Sequence, residues 1–342
     1  MENHKPILGI TMGDPAGIGP EITAKALSKI NTYEICRPLV VGDAAVMGQA
    51  IEIAKVKLSI NSITNVKDAK FQYGVMDVFD LKNVDLVKLV HGKVSPMAGK
   101  AAFEAIKKVI ELAMAKEIDA TITGPINKEA LNLAGFHYSG HTEIYAHFTG
   151  TKDYAMMLAD NGLRVVHVST HVSLRQACES VKKDRVLKVI ALADEACKKM
   201  GITKPKIAVA GLNPHAGENG MFGWEEEKEI IPAINEAKKL SIDADGPIAP
   251  DTVFSKAKGG QYDIVVVMYH DQGHIPLKVV GFIWNPEKQK MESISGVNIT
   301  LGLPIIRSSV DHGTAFGKAG KGTANEESLI NAIEYGVKLA QK

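Results

Sequence analysis

Cysteine is scarce in this chain. Only Cys36, Cys178 and Cys197 occur in 342 residues, with no C-x-x-C spacing among them, which excludes a disulfide framework or a zinc ribbon and fits a reducing compartment. An excess of charge of either sign is also missing: 40 Lys and Arg face 39 Asp and Glu, for a net charge of +1. That balance leaves no electrostatic footprint for nucleic acid or for a membrane surface. No apolar run approaches the ~18 residues of a membrane span. The opening "MENHKPILGITMGD" lacks the apolar core of a signal peptide. A cytoplasmic location and small-molecule partners are the expectation.

What is present is apolar and alternating. A hydrophobic content of 45% over 342 residues can bury a large core, and at ~100–200 residues per domain the length predicts about two domains. Short β-rich runs ("RPLVVGD", "DATITGP", "LRVVHVSTH", "KPKIAVAGLNPH", "YDIVVVMYHDQG") alternate with amphipathic helical stretches ("AGKAAFEAIKKVIELAMAKEI", "DRVLKVIALADEACKKMG"). This pattern predicts an α/β fold with a mostly parallel sheet. Near the N-terminus, "GITMGDPAGIGPEITAKALS" reads as strand, glycine-rich turn and helix, with Pro20 at the first helical position. A helix start there can bind an anion. The spacing is G-x-x-x-G-x-G-P, however, and no acidic residue is well placed about 20 positions on to hold a ribose, so the dinucleotide fingerprint is not met.

Chemistry gathers at predicted strand ends, where open α/β sheets bind ligands. His171 in "RVVHVSTHVS", His215 in "AVAGLNPHAGENG" and His270 in "VVVMYHDQGH" stand at such ends. Three neutral imidazoles suit a catalytic divalent ion and leave positions open for substrate. The pairs His137/His141, His167/His171 and His270/His274 are spaced four apart, but H-E-x-x-H is absent and none reads as helical. His167 is expected in the core or behind a ligand. "YSGHTEIY" puts His141 and Thr142 at a helix start, with Glu143 in its first turn; Lys278, Asn298 and Arg307 add donors suited to a phosphate or carboxylate.

Eight segments, "GDPAGIGPE", "TGPINKEALNLAG", "SGHTE", "STHVSLR", "GLNPHAGENG", "GPIAPDTVF", "MYHDQGHIPLK" and "GVNITLGLPIIRSSVDHGTA", occur in an order that closely resembles the 4-hydroxythreonine-4-phosphate dehydrogenase family over essentially the whole chain. The resemblance implies an isocitrate/isopropylmalate-dehydrogenase-like α/β fold and a homodimer. It implies two domains with an active site in the cleft between them, completed by the partner subunit. The expected division is a discontinuous cofactor-side domain, 1–126 plus 297–342, and a domain for metal, substrate and dimerisation, 127–296. A divalent metal (zinc, cobalt, magnesium or manganese) is expected on His171, His215 and His270, and the substrate on His141, Thr142, Lys278, Asn298 and Arg307. By analogy with the β-decarboxylating dehydrogenases, NAD, with NADP as the alternative, is expected on the loop "DHGTAFGKAGKGTAN" through Asp311, His312, Gly313, Thr314 and Asn325.

The activity so implied is metal-dependent oxidative decarboxylation of a four-carbon 3-hydroxy acid phosphorylated at C4. Lys128, Asp251 and Asp271 are the candidate proton carriers. Segments such as "KVSPMAGKAAFEAI" and "HDQGHIPLK", with His274, look more like the branch acting on 4-phospho-D-threonate or 4-phospho-D-erythronate, whose product would be dihydroxyacetone phosphate. The alternative is 4-hydroxy-L-threonine 4-phosphate, a step of pyridoxine synthesis yielding 3-amino-2-oxopropyl phosphate. A metal-dependent hydrolase and a phosphometabolite sensor are the remote alternatives. One departure from the family pattern is the insertion "IWNPEKQKMESIS", Ile283 to Ser295, expected as a polar surface loop close in sequence to Asn298.

Overall fold

A computed structural model of the chain describes residues 5–281, 283–287, 289–293 and 295–341. The chain divides into two compact α/β units: one runs to Thr151 and resumes over Leu303–Gln341, and the other is Lys152–Gly302. Five strands open the first unit: β1 (Ile7–Thr11), β2 (Arg37–Gly42), β3 (Ser59–Ile63), β4 (Val75–Asp80) and β5 (Ala120–Thr123). The second holds β6 (Ala155–Asp160), β7 (Leu163–His167), β8 (Ile207–Ala210), β9 (Ala244–Ile248), β10 (Ile264–Val267), β11 (Ile283–Asn285), β12 (Lys290–Ser293) and β13 (Val297–Leu301). β14 (Arg307–Val310) returns to the first unit.

In the first unit the strands lie in the order β3-β4-β2-β1-β5-β14, every pair parallel. Parallel strands covered on both faces must be apolar almost throughout, which is why "ILGIT" and "RPLVVG" are buried but for their first residues. The helix Pro96–Met114 begins where the Ser95 hydroxyl accepts the Ala98 N–H at 3.1 Å with Pro96 at the first helical position. Its buried stripe, including Ile106, Val109 and Ile110, packs with Leu39 and Val41 of β2 and with Leu131, Ile144 and Tyr145. Each such side chain contributes about 1.5–3 kcal/mol by leaving water.

That last contact decides where the unit ends. Leu131 and Ile144 belong to the helices Lys128–Leu133 and His141–Thr149, so residues 127–151 share the core of the first unit, whereas the sequence reading divided the chain at 126. At the other boundary, Val297–Leu301 pairs antiparallel with β6 and so lies in the second unit; the reading from sequence had it in the cofactor-side domain.

The second unit orders its main strands β13-β6-β7-β10-β8-β9. β6 pairs antiparallel with β13 and β7, and the pairs from β7 through β9 are parallel. Val165, Val265, Val267, Ala208 and Leu277 form its core. In the stretch Ile283 to Ser295, expected as a loop, β11 pairs antiparallel with β12 as a hairpin; residues 288 and 294 of that stretch lie outside the described residues. Among the described residues no helix is long and apolar enough to cross a membrane.

Candidate active site

In the first unit the polar groups converge on Arg307, the first residue of β14. Parallel register sets Arg307 opposite Thr121 and Ser309 opposite Thr123, and the Arg307 guanidinium donates to the Thr123 hydroxyl at 3.2 Å. The guanidinium carbon lies 5.5 Å from the centre of the Tyr145 ring, and the Tyr145 hydroxyl donates to Thr121 Oγ1 at 2.9 Å. Burial lowers the pKa of Arg307 to about 10, still far above neutrality, so a cation is held in a site only 3% exposed. Such a group is a strong receiver for a phosphate or carboxylate. Burial likewise pushes the Tyr145 phenol up to about 12, keeping it a neutral donor.

His141 opens the helix His141–Thr149, one turn ahead of Tyr145. Burial, and secondarily the Arg307 charge, hold its pKa well below the usual histidine value, so the ring is neutral at physiological pH. Its Nε2 is buried without a hydrogen-bond partner in the protein, a state that a bound acceptor or donor would relieve. Thr142 is buried beside it, and the unpaired N–H groups of a helix start favour an anion in front of them. Lys128 is exposed, and its Cε lies 4.0 Å from where a Cβ on Gly140 would stand. Thus His141, Thr142, Lys128 and Arg307 belong to one neighbourhood. Tyr145 and Thr123, absent from the sequence-derived set, belong to it too; the four-residue spacing of His141 and Tyr145 in "HTEIY" was the available signal for the first.

The second unit gathers imidazoles. β7, β10 and β8 are adjacent and parallel, so the segments beyond their carboxyl ends, carrying His171, His270 and His215, emerge along the same sheet edge. The ring centres of His171 and His270 are 5.8 Å apart. His270 Nδ1 lies 2.7 Å from Asp271 Oδ1, which favours the proton on Nδ1 and leaves Nε2 as the lone-pair nitrogen, the arrangement carboxylates impose on metal-binding histidines. His270 and His274 lie in one helix, His270–Gly281, despite Gly273 and Pro276, and their rings stack at 3.6 Å and 12°. The expectation that this pair spans a non-helical glycine turn is therefore corrected. Gly273 is needed for packing: a Cβ there would stand 2.6 Å from Nε2 of His167.

His167 ends β7, fully buried. Its Nδ1 lies 3.1 Å from the Met156 carbonyl, which can only accept, so Nδ1 carries the proton. Desolvation, with the neighbouring His274 adding to it, drops its pKa to about 3. His215 sits in the turn Pro214–Gly217 with φ of +51°. The turn is held by a residue that sequence reasoning passed over: Glu226, 1% exposed, accepts the N–H groups of Leu212 and Asn213 at 2.7 and 2.8 Å and the Asn213 side-chain amide at 2.9 Å. Its first-turn neighbours in "WEEEKEI" look like solvated charge, and nothing local marks it as the buried one.

The donors His171, His215 and His270 suit a divalent ion chemically, yet the side chains are not gathered: among the described residues no three His, Cys, Asp or Glu groups are disposed to hold a metal. Asp251 is exposed in the first turn of the helix Pro250–Lys258. Lys278 is half-buried two turns beyond His270, and half-buried Asn298 on β13 stands opposite Leu158 in register. In the loop expected to take the cofactor, the Asp311 N–H donates to Ser328 Oγ at 3.2 Å, His312 Nδ1 lies 2.9 Å from the Gly313 carbonyl, and Asn325 Oδ1 accepts the Glu327 N–H at 2.7 Å. Thr314 is buried and Gly313 exposed. A carboxylate, an imidazole and an amide on an accessible loop suit the polar adenosine end of a dinucleotide.

A family model described as "Pyridoxal phosphate biosynthetic protein PdxA" matches residues 34–336. A protein of Clostridium botulinum (strain Langeland) named "Putative D-threonate 4-phosphate dehydrogenase" is 48% identical over 342 residues, covering 100% of this chain and 99% of its own length. One of the same name from Oceanobacillus iheyensis is 49% identical over 342 residues, covering 99% of each. The crystal structure of a 4-hydroxythreonine-4-phosphate dehydrogenase from Klebsiella pneumoniae superposes with a TM-score of 0.87 at 42% identity, over 100% of both chains.

Proposed function

The chain belongs to the family of the pyridoxal phosphate biosynthetic protein PdxA and is a dehydrogenase; from that premise we propose that it oxidises and decarboxylates a four-carbon 3-hydroxy acid phosphorylated at C4. We read the substrate as 4-phospho-D-threonate or 4-phospho-D-erythronate, the former in keeping with the names of the relatives at 48% and 49% identity. The Klebsiella neighbour keeps 4-hydroxy-L-threonine 4-phosphate as the second reading. The observation that carries the proposal is the Arg307 neighbourhood, a buried guanidinium beside an imidazole whose Nε2 is buried and unpartnered. Such a pair of groups is suited to a phosphate.

In this reading Arg307, His141 and Thr142 receive the phosphate, and Lys278 and Asn298 contact the rest of the acid. His171, His215 and His270 would hold a divalent ion, which when bound supplies Lewis-acid stabilisation of negative charge on the C3 oxygen. Asp271 keeps His270 in the tautomer with Nε2 unprotonated. The Asp311 to Asn325 loop would hold NAD, which when bound would supply the acceptor for the C3 hydride, and the Asp251 carboxylate would take the C3 hydroxyl proton. The resulting β-keto acid loses CO₂, and the enolate takes a proton at C2, which we assign to the Lys128 ammonium. With a hydroxyl at C2 the product is dihydroxyacetone phosphate; with an amine it is 3-amino-2-oxopropyl phosphate. The functional assembly in this reading is a homodimer with a shared site.

The test is NADH absorbance at 340 nm with added divalent ion and each of the three phosphorylated acids in turn. Turnover of the two sugar-acid phosphates is the expected outcome. Turnover of the amino compound alone moves the enzyme to pyridoxine synthesis, and no turnover of any of the three refutes the substrate class.

A further inference from the structure

The glycine-rich "GDPAGIGPEITAK" has no part in the reaction above, yet it holds two charged side chains that reach across the first unit. Glu21, 2% exposed, accepts the backbone N–H of Gly320 with one carboxylate oxygen and that of Gly322, at 3.0 Å, with the other. Lys25, one turn along the same helix, donates its Nζ to the carbonyls of Gly322 and Ala324 at 2.8 and 2.6 Å. Glu21 is separated from Gly320 by 299 positions in sequence. The contact continues upstream. Ile18 N–H donates to the Thr314 carbonyl at 3.1 Å, and a Cβ on Gly17 would stand 2.9 Å from the Thr314 side chain. Gly322 has φ of +65°, and a Cβ there would stand 2.4 Å from the Ile53 carbonyl.

A buried carboxylate and a half-buried ammonium are thus committed to four backbone groups of a loop that, left to itself, is among the most flexible sequences in the chain, "GKAGKGTAN". A glycine-rich loop loses much conformational entropy when ordered. If a ligand had to order it, that cost would be subtracted from the ligand's affinity. Glu21 and Lys25 bear the cost in the fold instead, while Lys321, Thr323 and Asn325 of the loop remain exposed.

We propose that Glu21 and Lys25 are positioning residues for the dinucleotide: they lock Gly320, Gly322 and Ala324 in the backbone shape that receives its adenosine end. This rests on the reading that the Asp311 to Asn325 loop takes the cofactor. The residues touch the loop, not the reacting atoms, so their removal acts on cofactor binding and leaves the chemical step alone. The segment that resembles a phosphate loop is thereby a brace for another loop.

Amide hydrogen exchange and steady-state kinetics on the full-length enzyme test this with E21Q, K25M and K25R. Glu21→Gln replaces one acceptor oxygen by an NH₂ facing a backbone N–H, and Lys25→Met removes both donated bonds while keeping the stem. Both are expected to speed exchange across residues 313–325 and to raise the KM for NAD about tenfold for each charge-assisted hydrogen bond lost. The KM for the phosphorylated acid and kcat at saturating NAD stay within about twofold, and Lys25→Arg retains near-normal NAD binding. A fall in kcat together with a rise in both KM values would mean a merely structural role and overturn the proposal. NAD added to the unaltered enzyme separates the two readings. If it protects no amide within 313–325, the loop is not the cofactor site and both readings fail; if it protects them while E21Q and K25M bind NAD normally, only the brace is refuted.

Discussion

Asp14→Asn should flatten part of the pH dependence of stability. Asp14 lies in the turn after β1, fully buried; its Oδ1 accepts the Ala16 N–H at 2.8 Å and its Oδ2 is buried with no partner. Burial outweighs that one hydrogen bond and raises its pKa from 3.8 to about 6. The folded state therefore holds its proton to higher pH than the unfolded chain does. Well below pH 3.8 both states are protonated and the group is neutral toward folding. As pH rises toward 6 the unfolded chain ionises first and stability falls, reaching a cost of about 3 kcal/mol once both states are ionised. Asparagine cannot ionise, so relative to the wild type the variant gains about 2 kcal/mol between about pH 4.5 and about pH 7.5. Its new amide N–H₂ replaces the unpartnered oxygen and is itself unpartnered, costing about 1–3 kcal/mol at every pH. Only the difference between the two pH values is diagnostic. Urea midpoints of both proteins at the two pH values measure it, and a gap between variant and wild type that does not change with pH would refute the assignment of an ionisable, desolvated Asp14.

Replacing Arg307 by Lys keeps the charge but loses the planar fork over Tyr145 and the contact to Thr123. We expect KM for the phosphorylated acid to rise about 10- to 100-fold, with turnover of the same acid lacking its phosphate unchanged; an equal loss on both would argue against phosphate recognition. Glu226→Gln converts one of the oxygens bonded to the His215 turn into a donor. A loss of about 2 kcal/mol in urea unfolding, with weaker retention of divalent ion on dialysis, is the expectation, and a variant normal in both measurements counts against Glu226 as the support of that turn.

Some of this site was legible in one dimension. The valine run before His270 and the apolar "RVVHV" read as strands because parallel strands covered on both faces carry no alternation, and residues just past the carboxyl end of a strand in such a sheet face the ligand edge. Helix starts were legible where the signal is local, as at Gly19–Pro20 and at Gly140–His141. The helical pairing of His270 with His274 was not. Gly273 and Pro276 argue locally against a helix, and what overrides them is the neighbouring strand: His167 occupies the space a side chain at Gly273 would need. Ile283 to Ser295 read as a loop because its composition is polar, yet a hairpin needs only backbone pairing.

The sequence by itself determined the alternation of strands and helices, the three histidines beyond strand ends and the family motifs, all of which depend on residues near one another in the chain. Tertiary structure alone decided which of those groups meet. Tyr145 lies under Arg307, residues 127–151 share the first unit's core, Glu226 is buried while the acids around it are not, and Glu21 closes on Gly320 across 299 positions. The reason is physical: a local pattern specifies conformation through nearest-neighbour sterics and periodic burial, whereas a buried charge finds its partner only after packing has excluded water and left that one arrangement satisfied.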